Sequence, residues 1–275
     1  MNFNLDFLRF RFVALIASVS FILVSLATIS IQQLQLGLDF TGGTLVEVGF
    51  TETVDPEEIR TYLEGKQIDA LVQAFGSDKD LLIKIPSSEN IENANIVIDS
   101  LQQQYSFQLR RSGFVGPQVG GELRDQGGLG LLLALLIMAV YIMFRFQYKF
   151  AVGAIFALVH DVLIVVGMFS LFSIDFDLTV LAAVLAVIGY SLNDTIVVSD
   201  RIRENFRKKR RSETIALIDR SLTQMLGRTL ITSLTTLLVL FALLIFGGDA
   251  IQNFSIALII GVVAGTYSSI YIVCN

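Results

Sequence analysis

A chain of 275 residues that is 53% hydrophobic and 16% charged, with a mean hydropathy of +0.68, is too apolar for a single water-soluble domain, which carries roughly 25% charged residues. The net charge is −5. The only cysteine, Cys274, excludes an internal disulfide and leaves the redox compartment open.

In chain order, Arg9 and Arg11 precede a first apolar segment, Phe12–Ile31. Its length, with no small-x-small cleavage pattern following, predicts an uncleaved anchor rather than a secretory leader. Five more segments are long enough to cross a hydrocarbon core that needs about 20 residues at ~1.5 Å each: Gly127–Phe146, Phe150–Phe172, Leu178–Val198, Thr229–Phe246 and Phe254–Val273. The expected architecture is a polytopic α-helical membrane protein with six transmembrane helices. It divides into a tail and first helix at 1–31, an extracytoplasmic domain at 32–126, and helices two to six at 127–275.

The 32–126 stretch has no span of its own. Thr44–Phe50 reads as a strand, and Asp55-Pro56-Glu57-Glu58 supplies an N-cap, a first-turn proline and two acids at the positive helix end. A helix to about Lys66 follows, then strands at Asp69–Phe75 and Asp80–Ile85 around Gly76-Ser77-Asp78, with Pro86 as a stop. Ser88 caps a second helix over Glu89–Gln104, and Tyr105–Phe114 closes the series as a strand. The order is βαββαβ, that of an α+β ferredoxin-like domain. The domain holds no His and no Cys, which argues against metal or thiol chemistry. The only Gly-Lys pair, Gly65-Lys66, lacks the setting of a phosphate-binding loop. No cofactor and no metal are expected, nor an enzymatic activity.

Glycine-rich segments flank the domain at Gly37–Thr44 and Gly116–Arg124. Gly42, Gly43, Gly116, Gly120 and Gly121 serve either for tight turning or as a hinge on which the domain swings.

Short loops rich in Lys and Arg stay in the cytoplasm. Arg9 and Arg11, Arg145 and Lys149, and the eight basic residues of 201–220 fall in alternate connections, whereas Ser173–Asp177 and Gly247–Asn253 contain none. Six alternating spans therefore predict two cytoplasmic termini and an outer, periplasmic domain. That domain carries 15 acidic and 7 basic residues, a balance that ordinary solubility explains. The Arg207–Arg211 run adjoins a span end and has no interleaved aromatics, so it reads as a topogenic signal rather than a nucleic-acid site.

Charged residues inside spans are costly and by default point to function. Asp194 lies about 24 Å down a core ~30 Å thick when counted from Leu178. Arg228 enters at similar depth on the next, antiparallel helix, so the two are within reach of one another. An arginine partner would hold the carboxylate ionised, although Arg228 could equally snorkel. Ala182, Ala186 and Gly189 on the same helix as Asp194 allow close packing and turn the carboxylate towards a protein interior. His160 and Asp161 are sequence neighbours, roughly 100° apart on a helix, and are expected to face different ways rather than form a dyad. Each reads as a relay or a helix-packing group. Thr229, Thr232, Ser233, Thr235 and Thr236 either line a hydrated path or back-bond to helix carbonyls. Gly261 and Gly265, followed by Ser268 and Ser269, read as a packing face.

Several motifs together resemble one family. They are Gly37-Leu38-Asp39-Phe40-Thr41-Gly42-Gly43-Thr44, Gly116-Pro117-Gln118-Val119-Gly120, His160-Asp161, the run from Gly189 through Asn193-Asp194 to Glu204, Arg228-Thr229-Leu230, and Gly265-Thr266-Tyr267-Ser268-Ser269. The chain is similar over nearly its whole length to the SecD/SecF family, which is related to the resistance-nodulation-division transporters. The resemblance implies a proton-driven role in protein export, with SecD, the SecYEG translocon and YajC as partners and unfolded preproteins and protons as what is handled. It further implies that Asp194 and Arg228, with Asn193 beside them, form the proton relay of the inner membrane segment. The sequence stops at Asn275 without the polar tail usual in that family, as a C-terminal truncation would leave it. Competing readings are a proton-driven exporter of small molecules or lipids and a non-catalytic translocon scaffold.

Overall fold

The computed structural model describes residues 7–68, 70–75, 77–86, 92–145, 148–208, 214–248 and 251–273. The expected Ser88 cap, the turn at Gly76, the segment starts at Asp69 and Glu89, the Lys209-Arg210-Arg211 part of the basic run and Cys274 lie outside these residues. The chain forms two compact units, one of residues 36–129 and one of residues 1–35 with 130–275.

The smaller unit opens with a single helical turn, α2 (Leu38–Thr41), and continues through β1 (Gly43–Phe50), α3 (Pro56–Gly65), β2 (Leu71–Phe75), β3 (Ser77–Pro86), α4 (Glu92–Gln102) and β4 (Phe107–Val115). The four strands form one antiparallel sheet in the order β2-β3-β1-β4, so each helical crossover straddles a strand inserted between the two it joins. As the sequence predicts, Asp55 caps α3 by accepting from the Glu57 amide at 3.0 Å. β1 alternates in burial, with Val46 and Val48 enclosed, as a strand covered on one face must. Ile59 and Leu63 from α3 and Val97 and Leu101 from α4 cover that face, to which β3 adds Leu81 and Ile83, an apolar core driven by removal from water. Phe50 meets Tyr105 edge-on at 5.8 Å and closes the open end of the core.

The larger unit contributes α1 (Arg11–Ile31), most of α5 (Pro117–Arg145), α6 (Tyr148–Leu171), α7 (Leu178–Lys208), α8 (Thr214–Phe246) and α9 (Gln252–Tyr271). Among the described residues, six helices are long and apolar enough to cross a membrane. About half of the apolar windows of α6, α7 and α9 is enclosed (50%, 50% and 44%), against 17% for α1, 6% for α5 and 17% for α8. The first three therefore form the interior of the bundle. Helices α7 and α8, of 31 and 33 residues, measure about 45–50 Å at ~1.5 Å per residue, more than a ~30 Å hydrocarbon core.

The excess explains why α8 begins at Thr214 rather than Thr229 and α7 runs to Lys208 rather than Val198. Hydropathy registers only the continuous apolar part, whereas these extensions are amphipathic and hold each other with polar bonds. Asn205 donates to Ser221 Oγ at 2.8 Å and to Gln224 Oε1 at 3.0 Å, and Arg201 Nε donates to the same glutamine at 2.7 Å. The same reasoning covers α5, which starts at Pro117 instead of Gly127 and so includes Gly120 and Gly121 within a helix.

Candidate functional site

α7 presents a buried stripe of Val184, Val187, Ser191, Asp194, Thr195 and Val198, the spacing of a single helix face. The apposed face of α9 is made of small residues so that the two backbones come close. A Cβ at Gly261 would overlap the Val187 side chain, and one at Gly265 would sit 3.0 Å from Ser191 Cβ.

At this crossing lies a buried polar cluster. Asp161 of α6, 1% exposed, accepts from Ser191 Oγ of α7 at 2.6 Å and from Ser268 Oγ of α9 at 2.7 Å through one oxygen. Its other oxygen meets His160 Nδ1 at 2.9 Å. The expectation that His160 and Asp161 would not pair is thus corrected: Cα directions about 100° apart still let a long imidazole and a carboxylate bend together when packing encloses both. The His160 ring stacks on Tyr267 at 6.2 Å, and the Tyr267 hydroxyl donates to the Ala14 carbonyl at 2.6 Å and lies 3.0 Å from Ser18 Oγ, which ties α9 to α1.

Asp194, 4% exposed, lies three residues along α7 from Ser191, or about 4.5 Å of rise. Its Oδ2 is buried and, among the described residues, has no hydrogen-bond partner. Arg228 of α8 attracts it across space without an ion-pair contact. Arg228 sits in mid-helix on α8 with its side chain exposed, and Asn193 also faces outward, so the structure does not bring Asn193 to Asp194. The hydroxyls of α8 divide. Thr232, Thr235 and Thr236 bond back to helix carbonyls, whereas Ser233 reaches across to Thr266 Oγ1 of α9 at 2.7 Å and lies 3.3 Å from the Tyr190 hydroxyl of α7.

The glycines named as a hinge also divide. Gly42 and Gly43 have φ of 70° and 134°, conformations that favour glycine, and a Cβ at Gly42 would lie 2.7 Å from Pro117 Cα while one at Gly43 would collide with the Ile85 carbonyl. Gly120 packs back on this segment, its added Cβ falling 2.8 Å from Gly42 N. Gly116 and Gly121 have open space around them, the nearest foreign atom to a Cβ at Gly116 being a Phe114 ring carbon at 3.9 Å.

Sequence comparison reinforces the motifs. Residues 96–275 match the family profile described as protein export membrane protein SecD/SecF, C-terminal, and residues 28–54 match the SecD/SecF GG motif. The chain belongs to the SecD/SecF family. Among its relatives, the protein translocase subunit SecF of Pseudomonas aeruginosa is 51% identical over 98% of this chain and 89% of its own length, and that of Vibrio alginolyticus is 47% identical over 98% and 87%. The fold superposes on a SecDF from Thermus, described as a translocon-associated membrane protein, with a TM-score of 0.92 at 35% identity. A SecDF in a super-membrane-facing form gives 0.75, also at 35% identity. The chain spans 38% of each of those longer SecDF chains.

Asp194 lies in the motif run from Gly189 to Glu204, and Arg228 in the separate motif Arg228-Thr229-Leu230. The sequence does not single out Ser191, Ser268 and Tyr267 as members of a polar cluster, although each lies within one of the family motifs. A signal was present, since Ser191 sits one turn before Asp194 and Ser268 three residues after Gly265.

Proposed function

We propose that this member of the SecD/SecF family is the SecF-type subunit of the export machinery and couples inward proton movement to work on preproteins emerging at the outer face, as a transporter and not an enzyme. In this reading SecD, SecYEG and YajC are its partners and both termini are cytoplasmic. The 32–126 domain is periplasmic, and the membrane segments are 1–31 and 127–275. The observation that carries the reading is the Asp194 carboxylate, enclosed in a membrane helix bundle with one oxygen unpartnered among the described residues and an exposed arginine on the neighbouring helix. Such a group is expensive to keep in a membrane unless it has a task.

Proton arrival at Asp194 removes its attraction to Arg228, and α7 and α8 then relax against each other. The transmembrane potential supplies about 2.3 kcal/mol per charge per 100 mV, enough to bias an element whose two states differ by a few kcal/mol. Gly116 and Gly121, where an added Cβ would meet no tight contact, are the points at which the module would move, while Gly42, Gly43 and Gly120 form a fixed knot beside them.

The test is Asp194→Asn in vesicles reconstituted with the full export machinery. The expected outcome is normal insertion and assembly with loss of the stimulation of export by an imposed proton gradient, because Asn keeps the size and removes the titrating group. Undiminished stimulation would sink the relay and favour the scaffold reading.

A further inference from the structure

We infer that Asp161 is a positioning residue for Asp194: by binding Ser191 of α7 and Ser268 of α9 together, it fixes the rotation of α7 and with it the surroundings of the proton-binding carboxylate. The inference rests on the reading of Asp194 as the group that takes up the proton.

Three donors converge on Asp161 from three places. Ser191 Oγ and Ser268 Oγ donate to one oxygen at 2.6 and 2.7 Å, and His160 Nδ1 meets the other at 2.9 Å. A carboxylate has acceptor sites for all of them at once, which neither a hydroxyl nor an amide offers with the same geometry. The four side chains are each no more than 2% exposed, so no outside water competes for these bonds. In lipid there is no apolar driving force between helices, and position is set by close packing and by bonds of this kind.

The lever is short. Ser191 and Asp194 are three residues apart on one helix, so rotation of α7 about its axis moves both together, and the close fit of Gly265 against Ser191 leaves little room for Ser191 to choose another partner. His160 is in turn held by its stack on Tyr267, whose hydroxyl is fixed on α1. The anchor is therefore built into four helices, while among the described residues Asp194 Oδ2 has no hydrogen-bond partner. The titratable groups on the membrane stretches packed against α7 are His160 and Asp161 on α6, Arg228 on α8, and Tyr267 and Tyr271 on α9. Asp161 reaches Asp194 through α7, because Ser191, which donates to it, lies on the same helix three residues away.

The experiment measures gradient-driven export in reconstituted vesicles as a function of pH for Ser191→Ala, Ser268→Ala and Asp161→Asn, with Asp194→Asn as the reference. Each serine variant removes one donor and leaves the other contacts of Asp161 in place. The expected result is a displaced pH midpoint, by about half a unit or roughly threefold in proton affinity, at wild-type amounts of assembled protein. Asp161→Asn should displace it further. If Asp161→Asn fails to assemble, the two serine variants still decide the matter. A merely structural role would lower export at every pH around an unchanged midpoint, and that result would overturn the inference. Loss of stimulation in Asp194→Asn with unmoved midpoints in the serine variants would overturn this inference alone, whereas stimulation that survives Asp194→Asn would overturn the relay reading and this inference with it.

Discussion

The sheet module encloses almost only apolar side chains, whereas the helix bundle encloses polar and ionisable ones beside its apolar ones. In the module Val46, Val48, Ile59, Leu63, Leu81, Ile83, Val97 and Leu101 all stand at 0% exposure. Its most deeply set charge among the described residues, Asp80, is answered by Arg110 at 2.7 Å and by Ser77 at 2.7 Å. In the bundle, His160, Asp161, Ser191, Asp194, Ser268 and Ser269 are enclosed, while Leu132, Leu136, Ile231, Leu234 and Leu238 are exposed. The difference follows from the solvent. Water drives apolar side chains inward in the module, but lipid tails are as apolar as leucine, and a bundle in lipid gains by meshing small residues and pairing polar ones internally. Substitution of the same residue type should therefore have unequal consequences in the two regions.

The largest expected effect is in the module. Leu63→Ala removes a fully enclosed side chain of α3 and leaves a cavity among Ile59, Val97 and Leu101, at a cost of about 2–5 kcal/mol. Hydrogen exchange on the intact chain should show protection falling in α3 and β1 while α7 and α9 keep theirs. Loss of protection in both regions at once would mean that they unfold as one unit. Next comes Gly261→Ala, an addition rather than a deletion. The new methyl would meet Val187 where two helices touch, and overpacking of this kind costs about 1–3 kcal/mol. Thermal unfolding of the detergent-solubilised chain should register it, whereas Gly189→Ala, with nothing near its Cβ, should not.

What the sequence makes legible differs between the regions for the same reason. The strands and the α3 cap of the module can be read because alternation and capping are local: Asp55 and Pro56 define the start of α3 with no tertiary information. The spans can be read because twenty apolar residues have few other uses. The ends of α7 and α8 cannot be read from hydropathy, since Asn205, Ser221 and Gln224 stabilise them only after the two helices pair. Asp194 and Arg228 stand out as charges in apolar segments. The Asp161 cluster was legible only by half, because its serines are ordinary residues whose role comes from a crossing of three helices. His160 and Asp161 paired against expectation because side-chain reach, which the helical wheel ignores, decided the matter.

The smallest expected effect sharpens the comparison most. Leu238 is 61% exposed on α8, in a row with Leu234 at 59% and Ile231 at 64%. If lipid covers this face, Leu238→Ala replaces contacts between leucine and acyl chains by contacts among acyl chains, with no cavity and no polar atom uncovered. The expected cost is below about 0.5 kcal/mol, as for substitutions away from packed sites, against about 2–5 kcal/mol for the same change at Leu63. Thermal unfolding of the two variants side by side gives the ratio directly. The same substitution also reports on what meets α8, because Arg228 lies exposed on this helix. An unchanged melting temperature with weakened co-purification of a second membrane subunit would mean that protein rather than lipid covers the face. An unchanged melting temperature with unchanged assembly would leave the face to lipid, and the inward, polar side of α7 would then carry the coupling alone.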